Sequence, residues 1–174
     1  QMDDVLYEAR VLASNGVKEL LVVAQDTSRY GTDFPEHKRL LPDLLRELCK
    51  IDGFRWIRVH YTYPDEIDDE LIEVMATEPK ICKYLDIPFQ HISDNQLSAM
   101  LRRHTKAEAM ELIEKLRSRI PDLALRTTLL VGYPGETEAD FEELCDFVRK
   151  VRFERLGRDK KQVSVYPVET EAAE

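Results

Sequence analysis

Four short polar segments each follow an apolar run: Gln25-Asp26, His60-Tyr61, Gln90-His91 and Gly132-Tyr-Pro-Gly-Glu136. Amides, carboxylates, imidazoles and a phenol beside an apolar floor are the composition of a small-molecule site. Solvated loop ends would also explain any one of them, but four together favour a site. Arg102 and Arg103 follow the third segment, and arginine binds a carboxylate through two parallel hydrogen bonds. His60 and His91 are two imidazoles with no third ligand in view, so no metal site is predicted. Gly132-x-x-Gly-Glu-Thr lacks the Gly-Lys-[Ser/Thr] ending of a phosphate loop and the third glycine of a dinucleotide fingerprint. It reads either as a tight strand-to-helix turn or as a place where a flat ligand lies against a strand end. No residue pattern assigns a catalytic group.

The elements that must position these segments alternate. Helical spacing of apolar residues runs over 3–15, with Gly16 as its stop. Lys18–Ala24 reads as a strand covered on both faces. A polar loop leads to a helix with Leu41, Leu44, Leu45 and Leu48 on one face and Pro42 in its first turn. Arg55–His60 alternates as a second strand, and a short helix opens near Asp68. Cys82–Pro88 is a third strand, and a short helix with Leu97, Met100 and Leu101 follows. Thr105-Lys-Ala-Glu108 is a capping box opening the next helix. Leu129–Val131 ends a fourth strand, and Thr137 with Asp140 starts the last helix. Strand and helix thus alternate four times, which predicts an α/β fold with a parallel sheet and right-handed crossovers. Four βα units make half of an eight-fold barrel or most of a doubly wound sheet, and periodicity does not choose between them. A divergent or disordered tail is expected over 158–174, with Val163–Tyr166 as a strand candidate within it.

The 174 residues carry a net charge of −9, which excludes a surface that is basic throughout. No apolar run is long enough to span a bilayer, so no membrane partner is expected, and the cytoplasm is the expected compartment. The cysteines Cys49, Cys82 and Cys145 have neither disulfide-framework nor metal-ligand spacing and read as small apolar residues.

Five stretches resemble the radical S-adenosylmethionine methylthiotransferases in order and spacing. They are Ala24-Gln-Asp-Thr-Ser-Arg-Tyr-Gly31, Arg58-Val-His-Tyr-Thr-Tyr-Pro64, Tyr84-Leu-Asp-Ile-Pro-Phe-Gln-His91, Met100-x-Arg-x-His-Thr105 and Leu125–Glu138. Gln25-Asp-Thr-Ser28 and Gln90-His91 are similar to the RimO-type branch, which modifies an aspartate of a small-subunit ribosomal protein. The resemblance covers residues 1–157 and implies a radical-SAM core domain there, a partial (β/α) TIM-like barrel of which this chain holds about four βα units. It implies that Gln25 and Asp26 lie near the amino-acid end of S-adenosylmethionine, that Gln90 and Arg102 stand on the cofactor side, and that Val131 and Gly132 pack against the adenine. His60, at the second strand end, joins them as a cofactor-binding candidate.

The family's chemistry needs a Cys-x-x-x-Cys-x-x-Cys loop to hold a [4Fe–4S] cluster, and no cysteines here have that spacing. The expectation is therefore a truncated core from a methylthiotransferase parent, inactive by itself. The parent would add a methylthio group to an aspartate β-carbon, with a small-subunit ribosomal protein as its partner. Alternatives are a fragment of a tRNA-adenosine methylthiotransferase, a non-catalytic α/β binding module and, on His60 and His91, a metal-dependent barrel hydrolase. An opened barrel exposes sheet edges, so self-association is expected.

Overall fold

The computed structural model describes residues 1–160, so the strand candidate at Val163–Tyr166 lies outside the described residues. Among the described residues six α-helices and five strands follow one another in alternation, except that α4 leads directly into α5. The helices are α1 Met2–Ser14, α2 Leu41–Cys49, α3 Asp69–Thr77, α4 Asp94–Ala99, α5 Lys106–Arg119 and α6 Glu138–Val151. The strands are β1 Glu19–Val22, β2 Trp56–Val59, β3 Tyr84–Asp86, β4 Ala124–Val131 and β5 Arg155–Lys160. The caps expected from sequence hold the helices in register. Asp68 accepts from the Leu71 N–H at 2.9 Å, and Thr105 with Glu108 and Thr137 with Asp140 form reciprocal capping boxes.

All strand pairs are parallel. β1 pairs with β2, and β3, β4 and β5 form a second ladder in that order. The two ladders meet at an isolated bridge between Ile57 and Ile81, where Ile57 N–H donates to Lys80 O at 2.8 Å and Cys82 N–H to Ile57 O at 2.9 Å. Spatial order therefore follows chain order, as in a barrel wall; a doubly wound sheet would reverse direction at a switch point. The fold is a partial (β/α) barrel.

Alternation along the strands divides the sheet into two faces. Ile57, Val59, Leu85, Leu125 and Leu129 are buried toward the helices, where they meet Leu44, Leu45, Ile72, Met75, Ile113 and Leu116. The other, concave face carries Glu19, Leu21, Trp56, Arg58, His60, Tyr84, Asp86 and Arg126.

Three sequence expectations change. β1 is not covered on both faces: Leu21 is 54% and Val23 55% exposed, because they point into the open concavity and, among the described residues, β1 has a strand on one side only. A fifth strand, unforeseen, crosses position 157 and pairs with β4 from Arg126↔Arg155 to Val131↔Lys160. Leu101 lies past the end of α4 at φ 56° and is 89% exposed, so it does not belong to that helix's apolar face.

Candidate functional site at the strand ends

The C-terminal ends of the strands form one rim, and side chains tie the rim together. Thr27 Oγ1 donates to the His60 carbonyl at 2.6 Å and accepts from the Ala24 N–H at 3.1 Å. Ser28 Oγ donates to Asp26 at 2.5 Å and accepts from the Tyr63 N–H at 3.1 Å. Thr27 and Ser28 are buried polar residues that fix the Gln25-Asp26 segment to the end of β2. The Thr62 N–H donates to the Asp86 carbonyl at 3.0 Å and links that end to β3.

A second buried network fixes the other half. His91 Nδ1 accepts from the Ser93 N–H at 3.0 Å, which puts the imidazole proton on Nε2, facing Glu136 Oε1 at 3.1 Å. Glu136 also accepts from the Gly132 N–H. Ser93 Oγ donates to Asp140, whose other oxygen serves the Thr137 cap. These hydrogen bonds hold the Asp140 carboxyl well below the usual carboxylate range. Both nitrogens of His91 are thus engaged inside the protein, which removes it as a metal ligand.

Two clefts open beside these networks. The first, of about 480 Å³, is lined by Gln25, Asp26, Tyr63, Arg102 and His104, with Asp65 and Glu66 on its wall. The Arg102 guanidinium lies over the Tyr63 ring at 5.4 Å. The second, of about 370 Å³, is lined by Gln25, Tyr61, Tyr63, Gln90, Arg126 and Thr128. Gln25 and Tyr63 belong to both. Three non-glycine residues at these clefts have left-handed backbones: Tyr61 at φ 56°, Gln90 at φ 69° and Leu101 at φ 56°. Such backbones cost energy and concentrate where geometry serves a ligand.

Of the residues singled out from sequence, Gln25, Asp26 and Arg102 meet in the first cleft, and Gln25 and Gln90 in the second. His60 stands beside them on the concave face, 5.4 Å from the Tyr84 ring and with Nδ1 3.9 Å from Asp86. Val131 lies elsewhere. It follows the helix-facing phase of β4 and lines an apolar groove with Phe141, Leu144 and Val148. Gly132, at φ 78°, turns the chain from β4 toward α6.

Sequence reasoning did not single out Tyr63, His104 or Arg126. His104 is buried, packs edge-on against Phe89 at 5.8 Å, and its Nε2 has no hydrogen-bond partner among the described residues. Burial, then the Arg102 charge, push its pKa below the ordinary histidine value. Arg126 Nη1 donates to both oxygens of the buried Asp86 at 2.7 Å each. One signal was available: β3 and β4 each carry one charged residue of opposite sign within an apolar run, and the register pairs them.

Comparison with known proteins fits this architecture. The chain is 57% identical over 156 residues to the ribosomal protein uS12 methylthiotransferase RimO of Lachnoclostridium phytofermentans and 54% identical to that of Alkaliphilus oremlandii. Each match covers 90% of this chain and 35% of the relative, so the chain spans about a third of the length of the curated relatives it matches. Among solved structures, the radical S-adenosylmethionine methyltransferase TsrM from Kitasatospora setae superposes with a TM-score of 0.69 at 19% identity, over 92% of this chain and 31% of that one. Coproporphyrinogen III oxidase HemN from Escherichia coli, a radical SAM enzyme, gives 0.65 at 15% identity, over 91% and 37%. At such identities the likeness is one of fold, the same partial barrel. The radical SAM superfamily profile itself matches residues 1–148, and on that match, carried by the barrel wall and its rim, the chain belongs to the radical SAM superfamily.

Proposed function

We propose that the protein to which these residues belong is a methylthiotransferase that replaces a hydrogen on the β-carbon of an aspartate in ribosomal protein uS12 with a methylthio group. These residues would form the part of its core that holds S-adenosylmethionine. The observation that carries this reading is the 57% identity over 90% of the chain to a uS12 methylthiotransferase.

The residues present fit S-adenosylmethionine. Arg102 offers a fork for its carboxylate, and Asp26 offers an acceptor for its ammonium. Nε2 of His104 on the same cleft, without a partner among the described residues, leaves a buried polar atom to be satisfied. Gln25, Asp26, Gln90 and Arg102 are the proposed cofactor contacts, with His60 beside them; Val131 and Gly132 stand at the end of β4, Val131 on its helix-facing side. When bound, the cofactor supplies the radical and the methyl group. Arg102 and Asp26 would orient it, with the Tyr63 ring as a wall of the cleft.

The residues present do not fit a [4Fe–4S] cluster. Its three closely spaced thiolates are not among Cys49, Cys82 and Cys145, and burial pushes the Cys49 thiol up to about 11. No step is therefore assigned to these residues through the cluster. The 174-residue chain alone should bind S-adenosylmethionine without turning it over. Titration calorimetry on this chain tests the binding, and assay for cofactor cleavage under reducing conditions tests the rest. For the parent, incubation of the full-length, cluster-loaded protein with uS12 and, separately, with tRNA should give a methylthio mass gain on the uS12 aspartate alone. Modification of tRNA instead would overturn the assignment.

A further inference from the structure

The second cleft is lined by neutral groups except for Arg126. We propose that Arg126 binds the side-chain carboxylate of the substrate aspartate and so selects an acidic target; this rests on the uS12 reading above.

Its Nη1 donates to both carboxylate oxygens of Asp86, at 2.7 Å from each. Among the described residues Nη2 and Nε donate no hydrogen bond, so three of the five donor positions remain for a second acid. Asp86 is buried and carried by β3, so the guanidinium is held in one orientation before any ligand arrives. Gly157 lies against the open side of Arg126: a Cβ there would stand 3.5 Å from Nη2.

The charge around it suits an anion. The other side chains lining the cleft, Gln25, Tyr61, Tyr63, Gln90 and Thr128, are neutral, so no carboxylate of the lining competes with the ligand. Position favours the same ligand. Gln25 and Tyr63 line both clefts, so a carboxylate on Arg126 would lie next to a cofactor held by Arg102 and Asp26. A reacting carbon must have that neighbour.

The test uses the full-length parent loaded with its clusters and two peptides spanning the target segment, one with aspartate and one with asparagine at the modified position. Wild type should bind and modify the aspartate peptide with a KM about 10- to 100-fold below that for the asparagine peptide. Arg126→Gln should raise the KM for the aspartate peptide by a similar factor, leave S-adenosylmethionine affinity unchanged and abolish the preference; Arg126→Lys should restore part of it. Because Arg126→Gln strands the buried Asp86, the pair Arg126→Gln with Asp86→Asn removes both charges and should show the same loss of preference. Equal binding of the two peptides by wild type, or an aspartate preference that survives in either glutamine variant, would overturn the assignment of Arg126. Failure of wild type to modify uS12 at all would instead sink the functional reading beneath it.

Discussion

His104 and Asp140 both act on the acid side of the stability profile, in different pH ranges. The His104 pKa is lowered in the folded state from 6.5, chiefly by burial, so the unfolded chain takes up a proton first as pH falls. The stability linked to His104 is therefore complete above about 6.5 and is lost as pH drops toward the folded value. Asp140 follows the carboxylate pattern. Its lowered pKa adds stability above about 4, and this is lost only in stronger acid. Thermal melts of the chain between about pH 7.5 and 5.5 should show a falling midpoint, and His104→Gln should flatten that limb while leaving the decline below about pH 4 in place. Of these residues the sequence disclosed Asp140, because a capping box has a local signature. His104 was hidden, since burial and an absent partner are properties of tertiary contact. Arg126 stood between: an arginine inside an apolar strand is visible, but which face it takes and which acid meets it depend on register with β3.

At the scale of elements, helix starts were the most legible feature. Thr105-x-x-Glu108 and Thr137-x-x-Asp140 close as reciprocal boxes, as the spacing predicts. Thr137→Ala should cost about 1 kcal/mol in chemical denaturation, and somewhat more if loss of the cap loosens Asp140 from Ser93. Side chains on the buried faces of helices contribute more than caps do. Leu45 on α2 is fully buried, and Leu45→Ala should cost about 2–5 kcal/mol by the same measurement. β5 was illegible for a physical reason. Arg155-Leu-Gly-Arg-Asp-Lys160 has neither an apolar run nor clean alternation, and its strand conformation comes from pairing with β4. β1 was misread for a related one: Leu21 and Val23 look like core residues, yet they face the concavity.

For the whole molecule, sequential strand order makes a barrel wall whose inner face is open. Leu21, Val23, Trp56 and Tyr61 are exposed apolar side chains on or beside that face, and the outer edge of β1 has no strand partner among the described residues. Such edges recruit other chains. Sedimentation of the isolated chain should show concentration-dependent self-association, reduced by Leu21→Lys with Val23→Lys. A clean monomer at all concentrations would contradict this. Among the described residues no helix is long and apolar enough to cross a membrane.

The bridge at Ile57 and Ile81, where the two ladders meet, has a mechanical consequence. Continuous hydrogen bonding runs along each ladder, whereas few backbone bonds join the two across this seam. The second cleft straddles that line, with Gln25, Tyr61 and Tyr63 on one side and Gln90, Arg126 and Thr128 on the other. A small hinge motion at this seam would widen or narrow the cleft mouth while both ladders, and the Asp86–Arg126 pair within one of them, stay whole. The cleft mouth thus lies across the seam, while the acid–base pair beside it lies wholly within one ladder.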